Sequence, residues 1–580
     1  MLVSGAKSCI IIIVLGIFFS EEIGMSTRFI FSLSVIAILS MSGIVLADFG
    51  GGIGTSDDPY LIYTKEHLLD PVMLSGQVEP LYVKLMDDID FEGTQCQQLF
   101  KQHGFRGVFD GNGKSIINVY MLNQAGLIKS VHADSTIKNL TLVNPNLMIE
   151  KQNLNVGLLV VKVAKGATVY NCHVKGGYLQ GSLDLDQKNR GVSVAGLVFA
   201  NDGTIKKCSF SGSVLGDRTA GLAVVNRQDG TIENCFASVN LRAGRFAGGI
   251  VDSNYGTVRR CSTDGILKVE KAITTGKDHV EAVGGLVGRN YGYFRYYDAS
   301  GYEERKGLIV DCNSICDVST SGKGAGGLVG MSYGGKIVDC YATGSVTGYG
   351  FLGGFVGSIH TYWEYRVKGV IENCFSTGNV SGDNRVGGFA GENGSSIIRN
   401  CYAMGSVNGR LKVGGFVGCT YKYSRVPATG DSEDAIIDRC FSIGKVKGSS
   451  LTGGLVGSHW RGIQIISNSF WNIETSSFFE SAGGTGKTTN EMITGSTFID
   501  AGWDFVGEDV SGMDDFWWID EGNDYPRLLW EVNRKPVADA GKDQIAYAGV
   551  DGFVEVRLNG TGSHDLDEDK LKELARRDTC

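Results

Sequence analysis

Short apolar runs separated by glycine recur along most of the chain, and this pattern predicts many short β-strands. Two phrases alternate. The first is a glycine pair among apolar residues, as in "VGGLVG" at 283, "VGGFAG" at 386 and "VGGFVG" at 413. The second is Ile or Val, two further residues and then Cys, as in "IENC" at 232 and again at 371. No long amphipathic window interrupts them, so helical repeats are not expected.

The spacing of these phrases predicts the architecture. The tightest spacing is 27 residues, as from Cys374 to Cys401 and from Gly387 to Gly414. A short period rich in β-branched residues and glycine turns is typical of a parallel β-solenoid. Inserts such as "YGYFRYYDASGYEERKG" from 291 explain the longer gaps. We therefore predict an all-β fold, a right-handed parallel β-helix, because parallel crossovers favour the right hand.

Alternation within the cysteine phrase predicts which side chains are internal. In "CYATGSV", the positions of Cys340, Ala342, Gly344 and Val346 share one parity, which we assign to the interior. The Ile or Val three residues before each Cys has the opposite parity. A corner is therefore expected between that residue and the Cys, so that both point inward. We expect glycines to allow such corners.

The cysteines follow the repeat. Of the 14 in the chain, nine share one repeat position: Cys172, Cys208, Cys235, Cys261, Cys312, Cys340, Cys374, Cys401 and Cys440. We interpret them as a reduced ladder in the core, since small polarizable thiols pack well there. Disulfides remain the alternative, although parallel side chains in register are poorly aimed for the required torsion. No CxxC spacing is present, so no metal site is predicted.

The net charge and the N-terminal sequence indicate the class of partner and the cellular location of the protein. The net charge of −9 argues against nucleic-acid binding. An apolar run over 29–47 follows Met25 and Arg28 and ends in Val45-Leu46-Ala47, which is the form of a secretory signal. We interpret residues 1–47 as an N-terminal extension and signal peptide, with translation starting at Met25. A membrane anchor is the alternative, because the run could nearly span a bilayer.

Known chemical motifs are weak. "GGTGKTTNEM" at 483 ends like a phosphate-binding loop, but Ser481 occupies the first glycine position and no buried strand precedes it. Neither nucleotide nor another cofactor is predicted, and the glycines are expected to form a turn after the last coil. Asp87, Asp88 and Asp90 are possible carboxylates for hydrolysis, whereas Asp110 is better explained as a turn residue.

Histidines and aromatic inserts complete the candidates. His103 and His173 are isolated, so no catalytic residue is assigned. Six aromatic residues in two inserts are predicted to face a ligand, although packing against the side of the solenoid is an equal alternative: Tyr291, Tyr293, Tyr296, Tyr297, Tyr362 and Trp363. A second set is expected to cover the open end of the solenoid: Trp503, Phe516, Trp517 and Trp518.

These phrases resemble the GLUG motif of bacterial secreted and surface β-helix proteins. The resemblance covers roughly residues 50–531 and implies opening coils over 48–120, GLUG-type coils over 121–475 and a C-terminal closure over 476–534. Residues 535–580, from "PVADAGKDQ" onward, resemble the first strands of a PKD-like sandwich, but too few residues remain for its full set of strands.

The resemblance implies an adhesin-like role. The expected function is a non-catalytic secreted or cell-surface scaffold, which binds extracellular polysaccharide or another cell surface through loops on one flank. The alternative is a polysaccharide lyase or glycoside hydrolase on the same β-helix. Converging carboxylates in a pocket would favour the enzyme, and a flank of exposed aromatic residues would favour binding.

Overall fold

The computed structural model describes residues 49–532, except position 77 and the segments 151–153, 182–190, 271–279, 297–301, 362–366, 423–433, 461–463, 508–511 and 513. The chain divides into a unit over 1–49 and a unit over 50–580, and the β-strands lie in the second. The predicted signal peptide and PKD-like segment lie outside the described residues. Within these residues no helix is both long and apolar enough to cross a membrane.

Residues from 60 to 487 wind into coils of a parallel β-solenoid. One sheet contains 40 strands and a second contains 12, and eleven of those twelve are stacked in parallel, one from each of eleven consecutive coils. Antiparallel strand pairs occur at two places in the described structure, namely Val287–Tyr296 with Tyr302–Lys306 and Trp517–Trp518 with Arg527–Leu528. The predicted all-β, parallel β-helix class is confirmed.

Each coil follows one path. A strand leads to the cysteine position, a corner follows, and one or two strands then run to the glycine pair. The strands before the cysteine position are Tyr60–Ile62, Leu81–Leu85, Gly107–Asp110, Thr136–Lys138, Thr168–Tyr170, Thr204–Lys206, Thr231–Glu233, Thr257–Arg259, Leu308–Val310, Lys336–Val338 and Ile465–Ser467, and those that continue through it are Val370–Ser376, Ile397–Ala403 and Ile436–Ser442.

The next part of the coil contains strands of variable length. Those that directly follow the cysteine position are Ile89–Asp90, Ser115–Ile117, Thr141–Val143, His173–Gln180, Ser209–Ala220, Phe236–Gly248, Ser262–Val269, Asn313–Ser314, Tyr341–Ala342, Phe470–Asn472 and Thr485–Lys487. Shorter strands lie beyond them at Tyr120–Leu122, Asn146–Met148, Asp317–Thr320, Val346–Thr347, Val380–Ser381, Val407–Asn408 and Val446–Lys447.

The glycine pair separates the last two strand groups of a coil. Strands ending at the pair are Asn155–Gly157, Ser193–Ala195, Val280–Gly284, Lys323–Gly326, Gly350–Gly353, Asn384–Gly387, Leu411–Gly414 and Ser450–Gly453. Strands after it form the second sheet: Ile128–Val131, Val160–Val163, Val198–Asn201, Ala223–Asn226, Val251–Asn254, Val287–Tyr296, Val329–Tyr333, Val356–His360, Ala390–Gly394, Val417–Tyr421 and Val456–Trp460. The short helices are Lys65–Leu68, Pro71–Ser75, Ile473–Ser476, Thr489–Met492, Ser496–Ile499 and Leu529–Val532.

The core lies inside the coils and is built from identical positions stacked on one another. Cys340, Ala342 and Val346 are fully buried, as their parity predicts. After the glycine pair, the rings of Phe355 and Phe389 stack with centroids 4.6 Å apart. This distance matches the spacing between neighbouring strands, so successive coils bury their side chains in register.

The corner before each cysteine exists, but glycine does not form it. The residue that precedes the Cys has a left-handed backbone, with φ between 50° and 55°, at Asn171, Lys207, Asn234, Arg260, Asp311, Asp339, Asn373, Asn400 and Arg439. Asn and Asp tolerate this region better than other non-glycine residues. The corner restores inward parity, so that Ile371 and Cys374 are both fully buried.

The cysteine side chains have a polar role that packing alone does not predict. All nine are buried and carry free thiols. Each thiol donates to the carbonyl two residues earlier, as Cys340 does to Val338 at 3.0 Å. Several also accept a backbone N–H from the preceding coil, as Cys340 Sγ does from Cys312 at 3.4 Å. The thiol thus supplies an acceptor for a backbone N–H, and it is a second donor to a carbonyl that already accepts a backbone N–H, as the Val338 carbonyl does from Asp311 at 3.3 Å.

Ser469 ends this ladder and makes the same two bonds. Its hydroxyl donates to the Ser467 carbonyl at 2.7 Å and accepts the Cys440 N–H at 3.1 Å. A hydroxyl can thus replace the thiol, because the position needs a small group that both donates and accepts. Burial raises the pKa of the Cys340 and Cys374 thiols, which keeps them protonated and able to donate.

The aromatic residues of the C-terminal closing segment do not lie where the sequence predicts. Trp503 and Trp517 do not cover the open end, and they pack on the side of the last coils against Phe441, with ring centroids 6.3 and 6.1 Å away. Phe516 packs at the edge of the same cluster, while Trp518 is 37% exposed. The aromatic residue after each cysteine already lines that side, so the tryptophans bury more apolar surface there.

The "GGTGKTTNEM" stretch helps to close the solenoid end. Thr485–Lys487 adds a parallel strand to Phe470–Asn472 of the last coil. Thr488 then starts a short helix with a capping box, in which its side chain and that of Glu491 bind each other's backbone N–H. Lys487 Nζ pairs with Glu491 at 3.1 Å. The glycine-lysine phrase is therefore built into a strand and a helix cap.

Candidate binding face

The glycine pair brings two strands of neighbouring coils into close contact. A Cβ at Gly391 would lie 2.4 Å from the backbone nitrogen of Leu352, and one at Gly418 would lie 2.6 Å from that of Val386. Gly391 and Gly418 are the third glycine of their phrases. Glycine is needed at this position because the backbones of neighbouring coils are in contact there and leave no room for a Cβ. As a result, side chains just before the pair face side chains just after it.

Three columns of outward side chains meet beside this contact, and we call them together the corner face. The column before the glycine pair contains Arg218, Phe246, Phe351, Arg385 and Lys412. The column after it contains Ser253, Arg289, Met331, Ser358, Glu392, Cys419 and Ser458. Two residues further on, on the same side of the strand, lies the aromatic column, which contains Tyr255, Tyr291, Tyr333, His360, Tyr421 and Trp460.

The aromatic column is continuous along seven coils. Ring centroids are 4.6 Å apart between Tyr255 and Tyr291, and 5.4 Å apart between Tyr291 and Tyr333. Tyr333 and His360 follow at 5.6 Å. The rings stack because the parallel register places equivalent positions one coil apart. The column stays partly exposed along its length, and Trp460 at its end is 48% exposed.

Gly394 occupies the position in the column that lacks a ring, and Tyr421 leans across it. The Tyr421 hydroxyl lies 2.8 Å from His360 Nδ1, two coils away. A Cβ at Gly394 would lie 2.7 Å from both His360 Nδ1 and the Tyr421 ring. The absence of a side chain at this position is therefore what lets the tyrosine reach the histidine.

An asparagine column fixes the turn next to the aromatic column. The Asn226 amide donates to Asn254 at 2.9 Å, and Asn254 donates to Asn290 at 2.9 Å. Asn254 also binds both backbone groups of Gly256, at 3.2 and 3.3 Å. These buried amides satisfy the turn that follows the strand, so Tyr255 and Tyr291 leave successive coils at the same angle.

A buried carboxylate lies at the centre of the corner face. Glu392 is 4% exposed and pairs with Arg385 at 2.5 Å. Burial raises the pKa of Glu392 to about 7, although the Arg385, Lys412 and Lys323 cations oppose the shift. The cost of removing the charge from water thus exceeds the attraction of the cations. Near neutral pH this carboxyl group exchanges its proton.

His360 links that carboxyl group to the tyrosine. Its Nε2 atom lies 3.9 Å from Glu392 Oε1, while its Nδ1 atom contacts the Tyr421 hydroxyl. Burial lowers the pKa of His360 to about 4, so the ring is neutral at physiological pH. Tyr421 and His360 are therefore hydrogen-bonded, and the Glu392 carboxyl group lies near the ring but beyond hydrogen-bond distance.

Cations rest on aromatic rings at two places on this face. In the first cluster, the Arg289 guanidinium lies 3.8 Å from the Phe246 ring centroid, and that of Arg245 lies 5.5 Å away. Beneath them the buried Asp252 pairs with Arg218 and with Arg289. The pairing and the rings hold the guanidinium groups in fixed orientations.

The second cluster lies farther along the same columns. Arg385 is 4.6 Å from the Phe351 ring centroid and 5.9 Å from that of Trp460. Lys412 Nζ is 5.3 Å from the Trp460 ring centroid, and Lys323 Nζ is 5.8 Å from that of Phe351. Lys412 forms no salt bridge with another described residue.

The predicted ligand-facing aromatics divide into three groups. Tyr291 is part of the aromatic column. Tyr293 and Tyr296 lie in the antiparallel hairpin that extends from that column, where they pair with Arg305 and Tyr302. Tyr297, Tyr362 and Trp363 lie outside the described residues.

Other predicted candidates have structural partners. Asp110 accepts the Asn112 N–H at 2.8 Å, as expected for a turn residue. His173 contacts Ser209 at 2.8 Å and Asn171 at 3.1 Å. The carboxylates at 87, 88 and 90 each accept a backbone N–H nearby. His103 binds His132 through its carbonyl at 2.9 Å.

The acidic residues of the corner face are paired with arginine, as Asp252 is with Arg218 and Glu392 with Arg385. A metal site would need several such ligands around one point. In the part of the chain that the structure describes, no group of three or more His, Cys, Asp or Glu residues could hold a metal ion.

Comparison with known proteins identifies the repeat. The GLUG motif matches three consecutive segments, at residues 321–347, 348–381 and 382–408. The chain contains GLUG repeats. The matched segments contain Phe351, Arg385 and Glu392 of the corner face. The sequence resemblance is thereby confirmed for the repeats, whereas the PKD-like likeness and the predicted domain boundaries stay predictions.

Similarity beyond the motif is slight. No curated protein matches the chain significantly in sequence. One similar solved structure is the crystal structure of "a putative immunoglobulin A1 protease from Bacteroides ovatus", which is 16% identical. The alignment covers 83% of this chain and 95% of that one, with a TM-score of 0.23. At that score, no property of that protein is carried over to this chain.

Proposed function

We propose that this protein is a non-catalytic secreted or cell-surface scaffold that binds carbohydrate or another cell surface through its corner face and the loops beside it. The observation that carries the proposal is the continuous, partly exposed aromatic column. Other side chains already fill the interior of the solenoid, so this column is not needed to form the core. Contiguous apolar surface framed by polar groups is characteristic of binding sites.

The chemistry of the corner face favours a sugar as the ligand. Trp460 offers a half-exposed indole, and aromatic rings stack on the apolar faces of sugar rings. Tyr421 and Lys412, next to it, supply polar groups that could bind hydroxyls. The repeat of similar positions every coil, about 4.8 Å apart, suits an extended chain of sugar units.

The inserts support the same face. The segments 292–307, 361–369 and 422–435 each begin directly after a member of the aromatic column, namely Tyr291, His360 and Tyr421. Their starting points lie on alternate coils at one corner of the solenoid. Binding residues in repeat proteins often lie on such loops, which a rigid scaffold positions.

Two further features support an exported protein. GLUG-repeat proteins are typically extracellular. The thiols of the ladder are buried, and burial raises the pKa of Cys312 and Cys401. The thiolate is the form that oxidises, so protonated and inaccessible thiols would persist in an oxidising compartment.

A glycan array with the full chain tests the proposal. Trp460→Ala should lower binding at least about tenfold, since stacked aromatic residues dominate such interfaces. Trp518→Ala is the matched control, because Trp518 is also partly exposed but lies on the closing segment. Equal binding by both variants and the unaltered protein would contradict the role of the corner face.

One observation favours a second candidate, a glycan-cleaving enzyme. Tyr421 is hydrogen-bonded to His360, and the Glu392 carboxyl group lies 3.9 Å from that ring, which resembles a catalytic acid or base backed by two titratable groups. Incubation with polysaccharides followed by product analysis distinguishes the two functions. Release of fragments that is lost in Tyr421→Phe would establish the enzyme. Binding without fragments would leave the scaffold as the function.

A further inference from the structure

We infer that the ligand of the corner face is an acidic polysaccharide, a linear chain of sugars that carries carboxylate or sulfate groups. The inference rests on the proposed function and names its ligand class. The observations behind it are the two cation–aromatic clusters, the depth of the acidic groups within them, and the distance between them.

In the first cluster the positive groups are outermost. The side chains of Arg245, Arg218 and Arg289 are 43%, 24% and 17% exposed. Their partners Asp217 and Asp252 are 1% and 0% exposed. An incoming ligand therefore meets guanidinium groups first, while the carboxylates lie beneath them.

The second cluster has the same layering. Lys412 and Lys323 are partly exposed, and the Arg385 side chain is 18% exposed. The nearby carboxyl groups of Glu392 and Glu281 are 4% and 3% exposed. Glu281 already accepts the backbone N–H of Gly322 at 3.0 Å and so is directed inward.

The charge balance differs from that of the whole chain. Each cluster has three cations and two carboxyl groups, a balance of +1 when every carboxyl group is ionised, whereas the chain as a whole carries −9. Positive charge is thus concentrated at the surface of a protein that is otherwise acidic. Such a local field attracts anions and orients them as they approach.

The distance between the clusters indicates a chain-like ligand. Phe246 and Phe351 occupy equivalent positions three coils apart, through the pairs Phe246 with Ala282, Val283 with Ala325 and Ala325 with Leu352. At the usual strand spacing this is about 14 Å along the solenoid axis. A single small anion cannot contact both clusters, but a polymer with an acidic group every one or two sugars can.

A nucleic acid is the less suitable polyanion. The tyrosines of the aromatic column stack on one another, with interplanar angles of 5° and 17° for the first two pairs, whereas Trp460 at its end is half exposed. One open ring can stack on a sugar, but single-stranded nucleic acids bind through successive bases on several open aromatic faces, and the net charge of −9 repels their dense phosphates.

Binding of the full chain to three immobilised polymers tests the inference. The polymers are an alginate, a heparin and a neutral dextran, measured from 50 mM to 500 mM salt. We expect binding to alginate, to heparin or to both, weakening steeply as salt rises. Lys412→Gln should lower affinity about fivefold at low salt, and Lys412→Arg should retain it. Lys445→Gln is the control, because Lys445 is exposed just before the strand Val446–Lys447, outside the corner face.

Each outcome is decisive. Binding to dextran that is insensitive to salt and lost in Trp460→Ala would overturn the acidic ligand but leave the proposed function standing. No binding to any of the three polymers, together with no hit on the glycan array, would overturn both. Equal dependence on Lys412 for single-stranded DNA and for the acidic polysaccharides would show a general polyanion site and overturn the polysaccharide class.

Discussion

Two aromatic columns run along this solenoid with the same internal geometry and different surroundings. The closure column contains the residue after the cysteine position in successive coils: Tyr341, Phe375, Tyr402, Phe441 and Phe470. Its first three ring pairs are 5.1, 4.9 and 5.0 Å apart. The aromatic column of the corner face starts with pairs 4.6, 5.4 and 5.6 Å apart. Stacking alone therefore does not distinguish them.

What separates the columns is the segment that lies over one of them. Trp503, Trp517 and Trp530 of the closing segment pack on the closure column, so that Tyr402 and Phe441 are fully buried. The Trp530 indole also donates to the Asn373 carbonyl at 3.1 Å. The aromatic column of the corner face remains partly exposed along its length. A stacked aromatic column is thus a structural element when covered and a candidate binding surface when exposed.

The largest expected effect comes from removing the cover. Trp517→Ala should lower the free energy of unfolding by about 3–5 kcal/mol, because a fully buried indole leaves a cavity. The closing segment should then become sensitive to protease while the coils stay folded. Urea unfolding and limited proteolysis measure both effects.

The corner-face counterpart is Trp460→Ala. Since Trp460 is half exposed, its loss should change stability by less than about 1 kcal/mol while it removes ligand binding. If Trp460→Ala destabilised the protein as much as Trp517→Ala, the two columns would both be structural and the comparison would fail.

The next effect concerns the glycines that shape the corner face. Gly391→Ala should cost about 3 kcal/mol, because its Cβ would strike the Leu352 backbone 2.4 Å away. Gly394→Ala should cost less, since it meets the side chains of His360 and Tyr421, which can move. Thermal denaturation of both variants checks the order. The reverse order would mean that the coil backbones are not held in close contact at the glycine pair.

A pH dependence distinguishes the corner face from the closure column. The pKa of Glu392 is raised to about 7 in the folded protein, so the folded state holds a proton that the unfolded state releases between about pH 4.5 and 7. Stability should therefore fall as pH rises through that window, by at most about 2–3 kcal/mol. Glu392→Gln should flatten this part of the curve of unfolding free energy against pH. Identical slopes in both proteins would contradict the assignment.

The smallest effect tests the ladder from which the closure column extends. Cys340→Ala should cost about 1–3 kcal/mol, because the Cys312 N–H loses its acceptor, while the Val338 carbonyl keeps the Asp311 N–H. Cys340→Ser should cost less, as Ser469 makes both bonds naturally. Urea midpoints decide between them. If alanine were tolerated better than serine, the thiols would act only as apolar packing.

Much of the fold could be predicted because its signal repeats. The 27-residue spacing and the parity of Cys340, Ala342 and Val346 depend on local chemistry that every coil reproduces. The corner was expected, but its left-handed residue was not, because side chains as different as those of Asn373 and Arg439 occupy that position. The position of Trp503 and Trp517 was wrong, since the sequence does not reveal which side a terminal segment folds back upon.

The corner face was harder to predict for a different reason. Its residues change from coil to coil, as Phe351, Arg385 and Lys412 do at one position, so periodicity alone conceals them. A signal was nevertheless present two residues before each glycine pair and six residues after it. The aromatic inserts drew attention to Tyr291, whereas Tyr333, Tyr421 and Trp460 occupy the same repeat position without standing out.

Side-chain footprinting of Trp460 and Trp518, the exposed tryptophans among the described residues, tests the central claim most directly. The full chain is oxidised with hydroxyl radicals, with and without saturating alginate, heparin or a polymer found on the glycan array. The account predicts that bound polymer protects Trp460 on the corner face and leaves Trp518 on the closing segment unchanged. Protection of Trp518 alone, or of neither tryptophan while the polymer is bound, would contradict it.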